Sequence, residues 1–333
     1  MASFKPNVSV VIPVYNNASS ICRCVDSCLN QTYMPIEIII INNNSTDNSQ
    51  NLIDQYALVH PTLIKAIYES TPGANAARNA GLRIAKGEWI QLLDADDELM
   101  QNKFYHQIGL ALMNPDVDII YGNYRAYKFN NNSNCIDFVK NSYNEVNILN
   151  GLIDSSLGIT SAILWKRLSL LIVGFFDKSK SSNQEYFLML DLYAAGAIFL
   201  RDPEVNTKIY VDGDSISRTS DGPRSLQMLR TKLEYFESLV KVFREKKELT
   251  NELLSKINRK VRLSYSNNYY NYKEVCEAEL LEIKSANDIH PTTVDKVLTH
   301  AHQVYSKYCP KKGIGKYFIF IYFFFAKIKN LIR

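Results

Sequence analysis

The chain has 333 residues, of which 46% are hydrophobic and 22% charged, and its net charge is +4. That balance excludes a disordered chain and supports a sizeable core; so small a positive surplus, with no basic stripe among aromatics in the first half, argues against a nucleic-acid partner. Cys22, Cys24, Cys28, Cys135, Cys276 and Cys309 are sparse for this length and predict reduced thiols in a cytosol, and Met1-Ala2-Ser3-Phe4-Lys5-Pro6 lacks the apolar stretch of a secretory leader.

Val8-Ser9-Val10-Val11-Ile12 reads as a strand that Pro13 ends, and Asn17 or Ser19 offers a cap for a helix to about Asn30. Cys22, Cys24 and Cys28 lie on that helix, where residues two apart face different ways, so they read as small buried side chains rather than metal ligands. Ile36 to Ile41 is a second strand, nearly continuous in apolar residues as a strand covered on both faces should be. Ser45-Thr46-Asp47 offers caps for a second helix through Ile53 and Ala57. A third strand from Leu63 to Tyr68, a third helix from Gly73 to Lys86 and a fourth strand from Glu88 to Leu93 complete the alternation. Strands spaced by helices imply right-handed βαβ units and an α/β fold with a mostly parallel sheet. Ligands of such sheets sit at the carboxyl ends of the strands. Asn42-Asn43-Asn44 and Asp94-Ala95-Asp96-Asp97 both fall there.

The carboxylate cluster has two readings on its own. It is either a solvated strand end that caps a helix beginning near Leu99, or a site for a hard divalent cation, Mn²⁺ or Mg²⁺, which completes its shell with substrate phosphates. Gly73 to Asn79 adds a glycine, a helix start and the guanidinium of Arg78, a group able to grip phosphate bidentately.

The middle of the chain, to about Asp221, is richer in Asn, Ser and Tyr, with further strands expected around Ile119-Ile120-Tyr121, Ser161 to Leu164 and Ile198-Phe199-Leu200. After Pro223, Leu226, Leu229, Leu233, Phe236, Val240 and Phe243 recur at helical spacing, and two or three more helices are expected up to about Tyr308. The tail places ten residues, Tyr317 to Ala326, between Lys311-Lys312 and Lys327, Lys329 and Arg333. That run is too short to span a bilayer and fits either an interfacial anchor on an anionic membrane surface or a last helix packed on the body. Three regions follow: an α/β domain over 1–220, a helical appendage over 221–309 and a basic, aromatic tail over 310–333.

Four ordered segments carry a family resemblance: "SVVIPVYNN" (Ser9 to Asn17), "INNNSTDNS" (Ile41 to Ser49), "GANAARNAGLRIAKGEWIQLLDADDEL" (Gly73 to Leu99) and "GFFDKSKSSNQEYFLMLDLYAAG" (Gly174 to Gly196). Together they resemble the family 2 glycosyltransferases across roughly the first 220 residues. The resemblance implies a GT-A fold and inverting sugar transfer from a nucleotide sugar, UDP-linked, to a hydroxyl of a glycan or lipid-linked acceptor. By analogy it implies bacterial surface polysaccharide or lipopolysaccharide synthesis at the inner face of the cytoplasmic membrane.

Position by position, the family's metal motif matches Asp94, Ala95 and Asp96, with Asp97 alongside. The wall of its nucleotide pocket matches Pro13, Val14 and Tyr15, and its diphosphate-side arginine matches Arg78. The acidic pair that reads the base is replaced by Asn42 and Asn43, whose amide oxygens can still accept from a pyrimidine N–H. The acceptor-side Glu-Asp is replaced by Gln184-Glu185, which leaves Glu185 as the expected general base. Asp212, where many members place a histidine, is either a further metal ligand or uninvolved.

A dinucleotide-dependent oxidoreductase is excluded because the turn Pro13-Val14-Tyr15-Asn16-Asn17 has no glycine-rich fingerprint. A nucleotidyltransferase would need a glycine-rich basic loop at the same place. The remaining rival is a non-catalytic nucleotide-sugar or glycan-binding protein on the same scaffold.

Overall fold

The computed structural model describes residues 5–129, 135–142, 147–211 and 223–268. The alternation expected of the first hundred residues is present: β1 (Val8–Val14), α1 (Ile21–Leu29), β2 (Glu37–Asn42), α2 (Ser49–Val59), β3 (Ile64–Tyr68), α3 (Ala74–Ile84) and β4 (Trp89–Leu92). These strands run parallel in the order β3-β2-β1-β4. All six residues of β2 are buried, which is why its sequence is nearly continuous in isoleucine rather than alternating. Helix α3 seats on the sheet at Gly81, where a Cβ would lie 2.5 Å from Val11 Cγ1 and 2.9 Å from Ile41 Cδ1.

Three local expectations are corrected. Strand β1 does not stop at Pro13 but pairs it with Ile41 and continues to Val14. Pro13 faces the same side as Val11, toward β4, and pairing with β4 ends at Val11 and Leu92, so its missing N–H breaks no ladder bond. Helix α1 starts later than Asn17 or Ser19 suggested, at Ile21 behind Ser20. No helix begins at Leu99: Glu98–Leu99 is a two-residue strand, β5, paired with Thr207 and Lys208, and α4 (Lys103–Met113) follows.

The sheet continues through β8 (Ile163–Lys166), antiparallel to β4, then β6 (Ile119–Phe129), β9 (Phe199–Val211) and β5, with β7 (Cys135–Lys140) paired antiparallel to β6. Strands β6 and β9 run parallel, with register shifts between Gly122 and Tyr124. Helices α5 (Ile148–Asp154), α6 (Arg167–Val173) and α7 (Gln184–Ala194) lie between β7 and β9 in sequence. Helix α8 (Pro223–Glu245) buries Leu229, Leu233, Tyr235, Phe236, Leu239, Val240 and Phe243, close to the periodicity expected.

The chain divides into two compact units, Met1–Ile257 and Asn258–Arg333, and α8 belongs to the first. Helix α9 (Asn251–Asn268) runs across that division. The expected helices beyond it, the tail and Asp212 lie outside the described residues. No helix among the described residues is long and apolar enough to cross a membrane.

One buried charge has a consequence for stability. Lys103 is fully buried; its ammonium donates to Gln107 Oε1 at 3.0 Å, and Gln107 Nε2 donates to Asp202 Oδ2 at 3.1 Å. Burial pushes the Lys103 pKa down to about 7, against a smaller opposing effect of Asp202. Above that value the native ammonium is deprotonated while the unfolded one stays charged up to about pH 10.4. The unfolded state therefore binds more protons, and stability rises with pH by at most about 1.4 kcal/mol per unit. A Lys103→Met variant lacks this slope, so its melting-temperature advantage over wild type should shrink between pH 7 and pH 9. A constant gap across that range would remove the buried ammonium as the cause.

Candidate active site

The candidate site lies at the carboxyl ends of β1, β2 and β4, beside the point where the strand order reverses. Loops after β1 and β2 are laced together. Asn16 Oδ1 accepts from Thr46 N–H at 2.7 Å, Ser49 Oγ accepts from Asn17 N–H at 2.9 Å, and Asp47 Oδ2 accepts from Ala18 N–H at 2.9 Å. Asn16 and Asn44 adopt left-handed backbone angles, φ 54° and 65°, which asparagine tolerates better than most residues. Of the expected pocket wall, Val14 is buried, Pro13 is half-buried and Tyr15 is 53% exposed on the rim.

Asn42 and Asn43 are buried and already engaged. Asn42 donates to Gln50 Oε1 and accepts from Ser45 N–H. Asn43 donates to the carbonyls of Glu69 and Thr71, each at 2.8 Å, and accepts from Gly73 N–H at 2.8 Å. Base contacts from these amides would compete with bonds that hold the loop before α3. Gly73, the residue capping that helix, sits at φ 124°, a conformation only glycine adopts at little cost.

Helix α3 then joins the two halves of the site. Asn79 Nδ2 donates to the Phe176 carbonyl at 2.8 Å, its Oδ1 accepts from Phe176 N–H at 3.0 Å, and Asn75 Nδ2 donates to the Asp177 carbonyl at 2.8 Å. One turn's spacing puts these asparagines on one face, clasping the segment that leads into α7. Between them Arg78, only 7% exposed, donates to Asp94 Oδ1 at 2.6 Å and to Gln184 Oε1 at 2.7 Å. Its Nε is buried without a partner. The sequence singled out Arg78 as a phosphate ligand. Both its terminal nitrogens bond protein, and through them it fixes Asp94 relative to the start of α7.

The carboxylates separate into two kinds. Asp94 has a side chain 37% exposed, Asp96 is exposed, and Ala95 between them is buried. Asp97 points inward: it is buried, and its Oδ2 accepts from Ser161 Oγ at 2.5 Å. Burial, then the charges of Asp94 and Asp96, push its pKa well above the usual carboxylate range. Of the three carboxylates expected at a metal, Asp97 is the one whose side chain faces protein. No group of three or more His, Cys, Asp or Glu side chains among the described residues is arranged to hold a metal ion. The exposed pair Asp94 and Asp96 does fit Mn²⁺ or Mg²⁺, which need only one or two protein carboxylates when phosphate oxygens and water fill the rest. The cysteines agree with their packing role: Cys22, Cys24 and Cys28 are free thiols and the last two are buried.

Glu185 lies in the first turn of α7, half-buried. Burial raises its pKa above the ordinary glutamate value, opposed by its own backbone N–H and the Arg78 guanidinium and reinforced by Asp94. A carboxylate made more basic in this way, close enough to feel both Arg78 and Asp94, is a better proton acceptor than a free glutamate. Asn75, Asn79 and Ser161 went unrecognised in the sequence, since each acts on a partner more than 60 residues away.

Residues 9–164 match the model of glycosyl transferase family 2. An uncharacterized glycosyltransferase of Rickettsia typhi is 31% identical over 229 residues, covering 66% of this chain and 68% of that one. Glycosyltransferase GlyG of Streptococcus pneumoniae is 37% identical over 123 residues, covering 36% of this chain and 40% of GlyG. Among solved structures, the mannosyltransferase PcManGT from Pyrobaculum calidifontis in complex with GDP-Man and Mn²⁺ aligns with a TM-score of 0.57 at 17% identity, over 92% of this chain and 82% of that one. Residues 1–349 of TarS from S. aureus in complex with UDP align at 0.53 and 15% identity, over 89% and 91%. These likenesses show a GT-A architecture.

Proposed function

Because the chain belongs to glycosyl transferase family 2, we propose that it transfers a sugar from a nucleotide sugar, UDP-linked, to a hydroxyl of a glycan or lipid-linked acceptor, with inversion. The observation that carries this reading is the bridge from Asp94 through Arg78 to Gln184, which ties a carboxylate at the end of β4 to the turn presenting Glu185. Donor-side and acceptor-side groups thereby share one rigid frame, as pre-organised catalysis requires. TarS binding UDP and PcManGT binding GDP-Man with Mn²⁺ support a nucleotide-sugar donor of this kind.

Asp94 and Asp96 would hold Mn²⁺ or Mg²⁺, which when bound supplies Lewis-acid stabilisation of the departing diphosphate. The residues of the chain do the rest. Glu185 takes the proton of the acceptor hydroxyl as that oxygen bonds to the anomeric carbon. The bond from that carbon to phosphate oxygen breaks, and the nucleoside diphosphate leaves with the electron pair. Attack from the face opposite the leaving group needs no second carboxylate as a covalent nucleophile. Arg78 keeps Asp94 oriented and adds positive charge beside it. Tyr15 and Pro13, backed by the buried Val14, wall the nucleotide, and the base is met by the loop that Asn42 and Asn43 brace.

Asp96→Ala tests the donor side. Calorimetry with a UDP-sugar should show Mn²⁺-dependent binding in wild type that weakens in the variant by more than about 100-fold, the upper end of what outer-shell changes cost. Unaltered Mn²⁺-dependent affinity would remove Asp96 from the site.

A further inference from the structure

We propose that Ser161 is the positioning residue that sets which carboxylates of the Asp94–Asp97 turn face outward, an inference that rests on the metal-and-diphosphate reading of Asp94 and Asp96. Ser161 is fully buried in a one-turn 3-10 helix, Thr160–Ala162, just before β8. Its Oγ accepts from the backbone N–H of Asp94 at 3.1 Å and donates to Asp97 Oδ2 at 2.5 Å. One hydroxyl therefore holds both ends of the turn, which also closes on itself through Asp97 N–H to the Asp94 carbonyl at 3.0 Å.

Ser161 is itself held still. Its carbonyl accepts from Gln91 Nε2 at 3.0 Å and from Thr207 Oγ1 at 3.1 Å, so β4 and β9 both fix its position. From the other side, Arg23 Nη2 donates to the Asp96 carbonyl at 2.8 Å. With Asp97 drawn inward onto Ser161, Asp94 and Asp96 are left on the open side of the turn. An alanine at 161 would leave the Asp94 N–H and the Asp97 carboxylate without this partner in a buried setting. The turn would relax toward an arrangement that exposes Asp97 and misaims Asp94. Outer partners of this kind typically change metal affinity or activity by about 10–100-fold.

The test is Mn²⁺-dependent UDP affinity, read by calorimetry on the full chain, for wild type, Ser161→Ala, Ser161→Cys and Ser161→Thr. The expected result is a loss of about 10–100-fold for alanine, a smaller loss for the weakly hydrogen-bonding cysteine, and recovery with threonine, which keeps the hydroxyl. Should alanine fail to fold, the cysteine and threonine pair carries the comparison at nearly constant size. Wild-type affinity in both the alanine and cysteine variants would overturn the positioning role. Absence of Mn²⁺-dependent UDP binding in wild type would instead overturn the reading of Asp94 and Asp96.

Discussion

Glu185→Gln is expected to lower sugar transfer by about 10²–10⁴-fold, the range for a lost general base, while leaving nucleotide-sugar binding nearly unchanged. Glutamine keeps the size and the hydrogen-bonding shape of the side chain but cannot take a proton. The direction of the pKa shift supplies two controls. Burial raises the Glu185 pKa, so the acid limb of the wild-type pH–rate profile should lie above the ordinary glutamate value of 4.5. For stability the sign is the opposite of a paired carboxylate. A raised native pKa means the native state holds its proton longer than the unfolded chain, so stability is full below the unfolded pKa and is lost as pH rises through the native one. Once ionised, the wild-type side chain therefore carries the cost of a partly desolvated anion that Glu185→Gln lacks. The variant should melt no earlier than wild type, which separates lost chemistry from misfolding. Transfer at the wild-type rate by Glu185→Gln would sink the base assignment.

Arg78→Lys should reduce donor turnover by about 10²–10³-fold, comparable to removing one positioned donor from a developing charge. The charge is conserved, so any loss reports geometry. A guanidinium reaches Asp94 Oδ1 with one nitrogen and Gln184 Oε1 with the other, at 2.6 and 2.7 Å. An ammonium is a single point and cannot span both acceptors. Losing one of these part-buried hydrogen bonds should cost about 0.5–1.5 kcal/mol, visible as an earlier urea midpoint. If turnover in Arg78→Lys stays within a few-fold of wild type, the bridge between the two halves is not what orders the site.

Much of the first half was legible because its signals are local. Alternating β-branched runs and helical patterns located β1 to β4, and the parallel arrangement placed Asn42 and Asp94 at one edge. What was not legible depends on pairing across long separations. Glu98–Leu99 is a strand only because Thr207 and Lys208 lie beside it, over 100 residues away in sequence. Its own two residues carry no strand periodicity, and so a helix cap was the natural reading. Pro13 ends a strand by propensity, yet here it sits where β4 has already ceased to pair. Asp97 looks like its neighbours in sequence and differs from them only through Ser161, 64 residues on. Asn43 likewise gives no sign in the sequence of its bonds to Glu69, Thr71 and Gly73. The motif residues were findable from the family resemblance, whereas the residues that aim them were not.

Gln184 is the departure with the most interesting consequence. An amide in place of the expected carboxylate still receives the Arg78 bond, but it leaves that guanidinium balanced by Asp94 alone at close range. The Arg78–Asp94 pair is then neutral rather than net negative, which is the electrostatic effect of the amide. The same departure also gives the binding-protein alternative its footing, so turnover itself is the decisive quantity.

The most direct measurement is UDP release from a panel of UDP-sugars incubated with the full chain and Mn²⁺. The account predicts saturable release from at least one donor, abolished by EDTA and restored by added Mn²⁺. Tight UDP binding with no turnover of any donor would contradict it and leave a nucleotide-sugar-binding protein on this scaffold.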